Sequence, residues 1–309
     1  MVLVSVIMTS YNHEAYIGEA IDSVLNQTVA DLELIIVDDC SKDNSKEIIQ
    51  AYQKRDNRVK AFFHPTNRGI AETANDALDA AGGEFLSFIG SDDLWVPMKL
   101  EEQLKILASQ PDLVVWSEGD IIGADGISRA QRFTDFNSRG SKPASGRIYR
   151  EIINENYVFG QSLLFKRQFT NGLRFNPDLK YLCDYQFVVE LAYHHDFLFI
   201  PKPLAKYRLH GENSISRDGE GWLHDRIRLR SYFLQKYGAD LSRHLRGSLY
   251  LKIGEAYTGL GLEVLAKKYF LRALRTDFLS KESILYLSHL LGSKSTMHRL
   301  LFKIYQRLS

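Results

Sequence analysis

Cysteine is nearly absent from this chain: its 309 residues include only two, Cys40 and Cys183. Two isolated cysteines exclude a disulfide framework and a thiolate-ligated metal site, leaving reduced thiols of a cytosolic protein as the simplest reading. An excess of one charge is missing too, since 39 Lys and Arg face 38 Asp and Glu for a formal net charge of +1. That balance supplies no global attraction to nucleic acid, and no nucleic-acid partner is expected. No apolar run approaches the ~18 residues of a membrane span. The opening run, Val2 to Met8, lacks a basic flank and is too short for a signal peptide. What remains, 45% hydrophobic and 25% charged residues, is the composition of a globular protein with room for one large domain or two ordinary ones. The expected location is the cytoplasm, peripheral at the inner face of the cytoplasmic membrane at most.

The first hundred residues alternate between two periodicities. Val4-Ser5-Val6-Ile7-Met8, Leu32-Glu33-Leu34-Ile35-Ile36-Val37, Val59-Lys60-Ala61-Phe62-Phe63 and Phe85-Leu86-Ser87-Phe88-Ile89 are short β-rich runs. Between them lie segments with helical spacing, such as Ile17, Ala20, Ile21, Val24 and Leu25, and the stretch from Ile70 to Ala81. Strands alternating with helices predict βαβ units and an α/β fold with a mostly parallel sheet flanked by helices. In such sheets ligands sit beyond the carboxyl ends of the strands, where the strand order switches.

Three polar clusters occupy such ends: Thr9-Ser10-Tyr11-Asn12, Asp38-Asp39-Cys40-Ser41 and Ser91-Asp92-Asp93. Adjacent carboxylates such as Asp92 and Asp93 repel one another unless a cation or a hydroxyl network compensates them. Alone, the pair reads as a solvated turn. Three clusters at equivalent strand ends read as one site, and a hard divalent ion shared with phosphate oxygens is the usual partner of such carboxylates. For Asp38 to Ser45 a second reading stands beside the first, a cap for the following helix by Asp43 or Ser41.

In this order the motifs resemble those of family 2 of the glycosyltransferases, which have the GT-A fold. The resemblance rests on Val4 to Asn12, Ile36 to Asp43, Asn67-Arg68-Gly69 with Ala74-Asn75, and Ser91-Asp92-Asp93 with Pro97. It continues to Cys183-Asp184-Tyr185 and Tyr207-Arg208-Leu209-His210, over roughly the first 215 residues. The resemblance implies a GT-A catalytic domain over 1–217, with a nucleotide-sugar half over 1–117 and an acceptor half over 118–217. A helical extension over 218–309 would follow.

It also implies roles. Thr9, Tyr11, Asp38, Asp39, Arg68 and Asp92 would bind a nucleotide-sugar donor, with Asp39 reading the base, Asp38 supporting the loop, and uridine the family's habitual base. Asp93 and His210 would hold Mn²⁺ or Mg²⁺, which stabilises the departing nucleoside diphosphate. Asp184 would be the general base that takes the acceptor's proton, with inversion at the sugar carbon. Its reading without the family is a first-turn acid favoured by the helix dipole. Two positions depart from the family's usual form: Gly90 stands where an Asp is common, and Cys183 where a Glu usually precedes the base. Arg208 has an alternative task, pairing with the carboxylates at the sheet ends.

The segment from Glu118 to Arg147 is polar and Gly-rich and predicts an acceptor-side loop with a short hairpin. Gly160 to Phe165 predicts a further strand, and Gly211 to Gly221 a lid. After Trp222 only helical patterns remain, and Leu251 to Leu274 resembles a single tetratricopeptide-like helix pair packed on the catalytic domain. From Lys294 to Ser309 an apolar face (Met297, Leu300, Leu301, Ile304, Leu308) runs beside Arg299, Lys303 and Arg307, with no acid. That face suits an anionic inner-membrane surface or ordinary packing.

The function expected is transfer of a sugar from a nucleotide sugar to a glycan or lipid-linked glycan acceptor in polysaccharide assembly. A nucleotidyltransferase would need a Gly-rich phosphate loop after the first strand, and Thr9 to Glu14 is not one. The alternative from another class is a catalytically lapsed GT-A-like nucleotide-binding or scaffold protein that acts through its helical tail.

Overall fold

Apolar runs become the inner strands and amphipathic segments the helices laid against them. The computed structural model describes residues 2–137, 143–211, 213 and 219–277. In order, these form β1 (Val4–Ser10), α1 (Ile17–Leu25), β2 (Leu32–Asp38), α2 (Ser45–Arg55), β3 (Val59–Phe63), α3 (Ile70–Ala80), β4 (Phe85–Gly90) and β5 (Leu94–Trp95). There follow α4 (Lys99–Ser109), β6 (Leu113–Gly123), β7 (Ser128–Arg132), α5 (Phe133–Asn137), α6 (Tyr149–Ile152), β8 (Leu164–Lys166), α7 (Cys183–His194) and β9 (Asp196–Leu209). Three helices end the described chain: α8 (Gly219–Tyr237), α9 (Arg243–Gly259) and α10 (Glu263–Thr276). Packing divides the chain into two compact units, 1–213 and 214–309.

The strands of the first unit make one sheet in the order β3-β2-β1-β4-β8-β6-β9-β5, with β7 paired to β6. β1, β2, β3 and β4 are parallel, as is the long β6–β9 ladder, so the α/β architecture and mostly parallel sheet expected from the sequence are present. β8 reverses direction against both β4 and β6. Every residue of β2 is buried, as befits an inner parallel strand covered on both faces. Ile17, Ala20, Ile21 and Val24 of α1 are buried, as are Ala71, Ala74, Ala77 and Leu78 of α3. Because β2 and β4 lie on opposite sides of β1, the strand order switches at β1, and Thr9 pairs with both Val37 and Gly90.

One expected strand is different. Gly160–Ser162 is a 3₁₀ turn, and only Leu164–Lys166 is extended. The Ser162 hydroxyl donates to the Phe159 carbonyl (2.7 Å), a local bond that competes with strand pairing, with the Ser117 carbonyl 3.0 Å away as the other acceptor in reach. The hairpin expected after Glu118 is β6–β7.

In the second unit α9 and α10 are joined through Gly261, whose φ of +72° suits glycine. Leu251, Ala266, Phe270 and Ala273 form their core, with Tyr250, Tyr257 and Leu274 packed against it. A side chain at Gly254 would stand 2.4 Å from the Phe270 ring, so a small residue is required at this seam. The expected helix pair is thus present. The segment 294–309 and most of the lid segment 211–221 lie outside the described residues. No described helix is long and apolar enough to cross a membrane.

Candidate functional site

The loops leaving β1 and β2 are laced together. Asn12 donates its N–H to Ser41 Oγ (2.9 Å) and accepts from the Lys42 N–H (2.7 Å). The N–H of His13 reaches Ser45 Oγ (3.0 Å), and that of Glu14 reaches Asp43 (2.9 Å). Asp38 is buried and accepts from the Ser10 hydroxyl (3.1 Å) and from the Ser41 N–H (2.9 Å) and hydroxyl. It therefore shapes the loop. Asp43 also accepts the N–H of Ser45 (3.0 Å), while the cap position of α2 is held by Asn44 and not by Asp43 or Ser41.

Asp39 is buried as well, with Oδ1 accepting the Arg68 N–H (2.8 Å) and facing His64 Nδ1 (2.8 Å), and Oδ2 accepting the Gly69 N–H (2.8 Å). Gly69 has φ +86°, so only glycine enters α3 here without strain. The Arg68 guanidinium is turned to Glu72 (2.6 Å) and Asp76 (2.5 Å). Thr9 is half-buried at the end of β1, and Tyr11 lies 41% exposed beyond it, open to a ligand.

The second cluster lies across the switch point. Asp92 Oδ2 meets His210 Nε2 at 3.0 Å, and His13 Nδ1 meets Ser91 Oγ at 2.7 Å. His13, Asp92 and His210 bring one ligand atom each within 4.8 Å of one another. The Tyr16 ring lies 4.7 Å from the His210 ring, and His13 meets it edge-on at 5.7 Å. Asn213 fixes this turn, accepting the His210 N–H (2.6 Å) and donating to the Arg208 carbonyl (3.0 Å).

Asp93 is buried behind Asp92 and accepts the Arg208 N–H at 2.9 Å. The buried Arg208 guanidinium donates to the Asp92 carbonyl (2.8 Å) and pairs with Glu19 of α1 (2.7 Å). Its carboxylate partner is therefore Glu19, while the Asp93 carboxyl receives its backbone N–H. Burial would raise the Asp92 carboxyl, but the His210 hydrogen bond and the nearby charges of His13 and His210 outweigh it and hold Asp92 below the ordinary value. Burial, and then the charge of Asp92, push Asp93 well up. The negative charge of the pair thus resides on Asp92.

Gly90 has a structural reason. A Cβ there would stand 2.7 Å from Asp92 Oδ1 and 2.9 Å from Asp93 Oδ2. The pair folds back over the strand end into space that any side chain would fill.

Asp184 opens α7, with Oδ1 accepting the Tyr185 N–H at 2.6 Å. Asp184 is exposed at the surface, and desolvation by the protein atoms around it raises its carboxyl despite that N–H. Burial first, then the neighbouring carboxyls of Asp93, Asp92 and Asp184, push the Tyr207 hydroxyl above its usual value, so all three lie near enough to act on it electrostatically. Around Tyr207 stand Phe133 (5.7 Å), Phe159 (6.2 Å) and the 40%-exposed Phe136 (6.4 Å), an aromatic wall suited to a sugar face. Buried Glu118 secures that wall by accepting the N–H (3.1 Å) and hydroxyl of Thr134.

The structure therefore joins Asp92 and His210, with Asp93 directly behind them, and gathers Thr9, Tyr11, Asp38 and Asp39 at the neighbouring strand ends. The carboxylate that shares a ligand position with His210 is Asp92, and the third member, His13, was not singled out from the sequence. Its signal was available, since an imidazole lies four positions after Thr9 in a loop already identified. Asn213 and Glu19 were missed because their partners are 3 and 189 residues away, the second distance lying beyond any local pattern. Two imidazoles and a charged carboxylate are a donor set that fits Mn²⁺ or a similar divalent ion.

Comparison with known proteins agrees with this geometry. The family model described as "Glycosyl transferase family 2" matches residues 5–171, more than half of the chain. The putative teichuronic acid biosynthesis glycosyltransferase TuaG of Bacillus subtilis is 40% identical over 124 residues, 40% of this chain and 49% of that protein. The UDP-Glc:alpha-D-GlcNAc-diphosphoundecaprenol beta-1,3-glucosyltransferase WfgD of Escherichia coli is 38% identical over 125 residues, 40% of this chain and 49% of WfgD. These alignments span about half the length of the curated relatives. Among solved structures, S. aureus TarS 1-349 in complex with UDP-GlcNAc superposes with a TM-score of 0.70 at 19% identity, covering 99% of this chain and 92% of that one. It shares the fold.

Proposed function

The chain belongs to glycosyl transferase family 2, and from that membership and the geometry of its strand-end site we propose that it transfers a sugar from a nucleotide-sugar donor with inversion. The observation that carries the proposal is the meeting of His13, Asp92 and His210 at the switch point. UDP is the proposed nucleotide, supported by the UDP sugars in the names of WfgD and the TarS complex.

Donor binding falls to the loops after β1 and β2. The base lies against Tyr11 and Thr9, and Asp39 Oδ2, which among the described residues accepts only the Gly69 N–H, takes the imide N–H of the base. Asp38 holds the loop. Arg68 supports it from the α3 side, because Glu72 and Asp76 retain its guanidinium. His13, Asp92 and His210 hold a divalent ion, with Asp93 as the buried acid behind them. When bound, that ion supplies Lewis-acid stabilisation of the departing diphosphate.

Asp184 takes the acceptor's proton. Its Oδ1 is held by the Tyr185 N–H, leaving Oδ2 for the hydroxyl. Desolvation raises its affinity for a proton, which brings it closer to the strength a general base needs near neutral pH. Attack from the side of Asp184, opposite the diphosphate, inverts the sugar carbon. Exposed Phe136 and half-buried Tyr207 form the acceptor's stacking surface, with buried Phe133 behind them. The acceptor class is a glycan or lipid-linked glycan, supported by the printed names of TuaG and WfgD. The basic and apolar segment 294–309 suits an anionic inner-membrane surface that would carry such an acceptor. Gly90, the feature that suggested a lapsed enzyme, is what the folded acidic pair requires.

Thermal-shift titration with UDP, GDP, dTDP and CMP, each with and without Mn²⁺, tests the donor site. A ligand at a hundred times its Kd stabilises by about 2.7 kcal/mol. UDP stabilising only with Mn²⁺ is the expected result. No response to any nucleotide would remove the donor site and favour the scaffold alternative.

A further inference from the structure

The second unit carries an unneutralised basic recess that the proposed transfer reaction does not use. Arg243, Arg246 and Tyr250 of α9 and Arg275 and Thr276 of α10 line a concavity of about 430 Å³. Residues 243, 246 and 250 are spaced three and four apart, which puts them on one face of α9. Among the described residues no carboxylate lines the recess, and neither Arg243 nor Arg275 has an ion-pair partner. The neighbouring acid Asp277 is engaged with His244 Nδ1 at 3.1 Å.

Arg246 is the sharpest observation. Its Nη1 reaches the Gly238 carbonyl at 3.4 Å, while its Nε is buried with no hydrogen-bond partner among the described residues. A buried donor without an acceptor is a cost that a native structure ordinarily removes. Arg275 has an ordinary explanation, because a cation in the last turn of α10 complements the helix dipole. Arg243 has the opposite placement. It is the first residue of α9, directly after the Ser242 cap, where the dipole is positive, and no acid occupies that first turn. Guanidinium groups converging on a positive helix end repel one another until an anion joins them.

We propose that this recess binds a phosphate group, as a monoester or diester carried by a small molecule or a glycan chain. Planar guanidinium forks match tetrahedral oxyanions through paired N–H donors, and three guanidinium groups line this recess. Tyr250 offers a hydroxyl and a ring face to whatever the phosphate carries. A concave site suits a discrete phosphate with its substituent better than it suits a flat lipid surface. The site shares no residue with the donor pocket, so it stands or falls separately from the transfer reaction.

The test is calorimetric titration of the full-length protein with inorganic phosphate and with glycerol phosphate, at constant ionic strength set by chloride. Wild type is compared with Arg243→Ala/Arg275→Ala, whose side chains are both exposed, and with Arg246→Lys, which keeps the charge but removes Nε. Circular dichroism and the UDP response report folding and the donor site independently. The double variant is expected to weaken phosphate and glycerol phosphate at least about tenfold, and Arg246→Lys to weaken them too, with UDP binding unchanged. Equal phosphate affinity in wild type and the double variant overturns the proposal. So does binding by wild type to acidic phospholipid vesicles alone, with no response to phosphate or glycerol phosphate at about 10 mM.

Discussion

Replacing Gly90 by Ala asks how closely the acidic pair must be held. The backbone of Gly90 is not in the left-handed region, so alanine is not opposed by its dihedral angles. The new Cβ would instead stand 2.7 Å from Asp92 Oδ1 and 2.9 Å from Asp93 Oδ2. Both carboxylates must turn away, and Asp92 must then give up its 3.0 Å contact with His210. A side chain driven about 30° off its rotamer costs about 0.5–1.5 kcal/mol, so two cost about 1–3 kcal/mol. Expressed wholly in the transition state, that is about a 5- to 150-fold loss of rate. The assay is the initial rate of UDP release from the donor with acceptor and Mn²⁺, beside a melting curve. Gly160→Ala, where nothing lies within 4 Å of the added Cβ, is the control. A Gly90→Ala enzyme with wild-type rate and Mn²⁺ dependence would refute the argument that the pair's position is set by the missing side chain.

Three further outcomes are expected. His13→Ala should weaken Mn²⁺ activation at least about tenfold, the scale on which even outer partners of metal ligands act, and chelator should abolish the UDP thermal shift in wild type. The raised Asp184 carboxyl must lose its proton to act, so the acidic limb of the kcat–pH profile should lie above the ordinary carboxylate range near 4. An acidic limb at or below that range would contradict the assignment. Lys99 is fully buried, with Nζ donating to Ser87 Oγ and Gln103 Oε1 (2.9 Å each) and no carboxylate paired with it among the described residues, so desolvation pulls its amine well down. The unfolded chain therefore binds the proton more readily. Stability should rise with pH between the depressed folded value and the ordinary lysine value, by at most about 1.4 kcal/mol per pH unit. Denaturant midpoints of Lys99→Met should lose that slope.

The readable parts of the sequence were those governed by local periodicity. The runs at 4–8, 32–37 and 85–89 became inner strands because burial on both faces requires unbroken apolar sequence, and 59–63 became the half-exposed edge strand β3. The strand ends carried Thr9, Asp38, Asp39 and Asp92 to one edge because parallel strands align their carboxyl ends. Gly160–Ser162 was misread as strand because hydroxyl bonding by Ser162 outweighed its apolar neighbours. His13 is a ligand candidate only because β1 lies beside β4, which brings residue 13 to residue 91. The bond between Arg208 and Glu19 spans 189 residues, and the sequence had suggested the acidic pair instead. Gly90 read as a loss against the family pattern, and coordinates were needed to reveal the carboxylates occupying its vacant side-chain space.

The central claim is that Asp184 takes the acceptor's proton while the strand-end pocket holds the donor. Asp184→Asn separates these tasks, because the amide keeps the size of the side chain and cannot accept a proton. UDP affinity with Mn²⁺ and the rate of sugar transfer should be measured on the same preparation of wild type and variant. The account predicts a transfer rate lower by about 10²–10⁴-fold with UDP affinity unchanged. A variant that transfers sugar at the wild-type rate would contradict it.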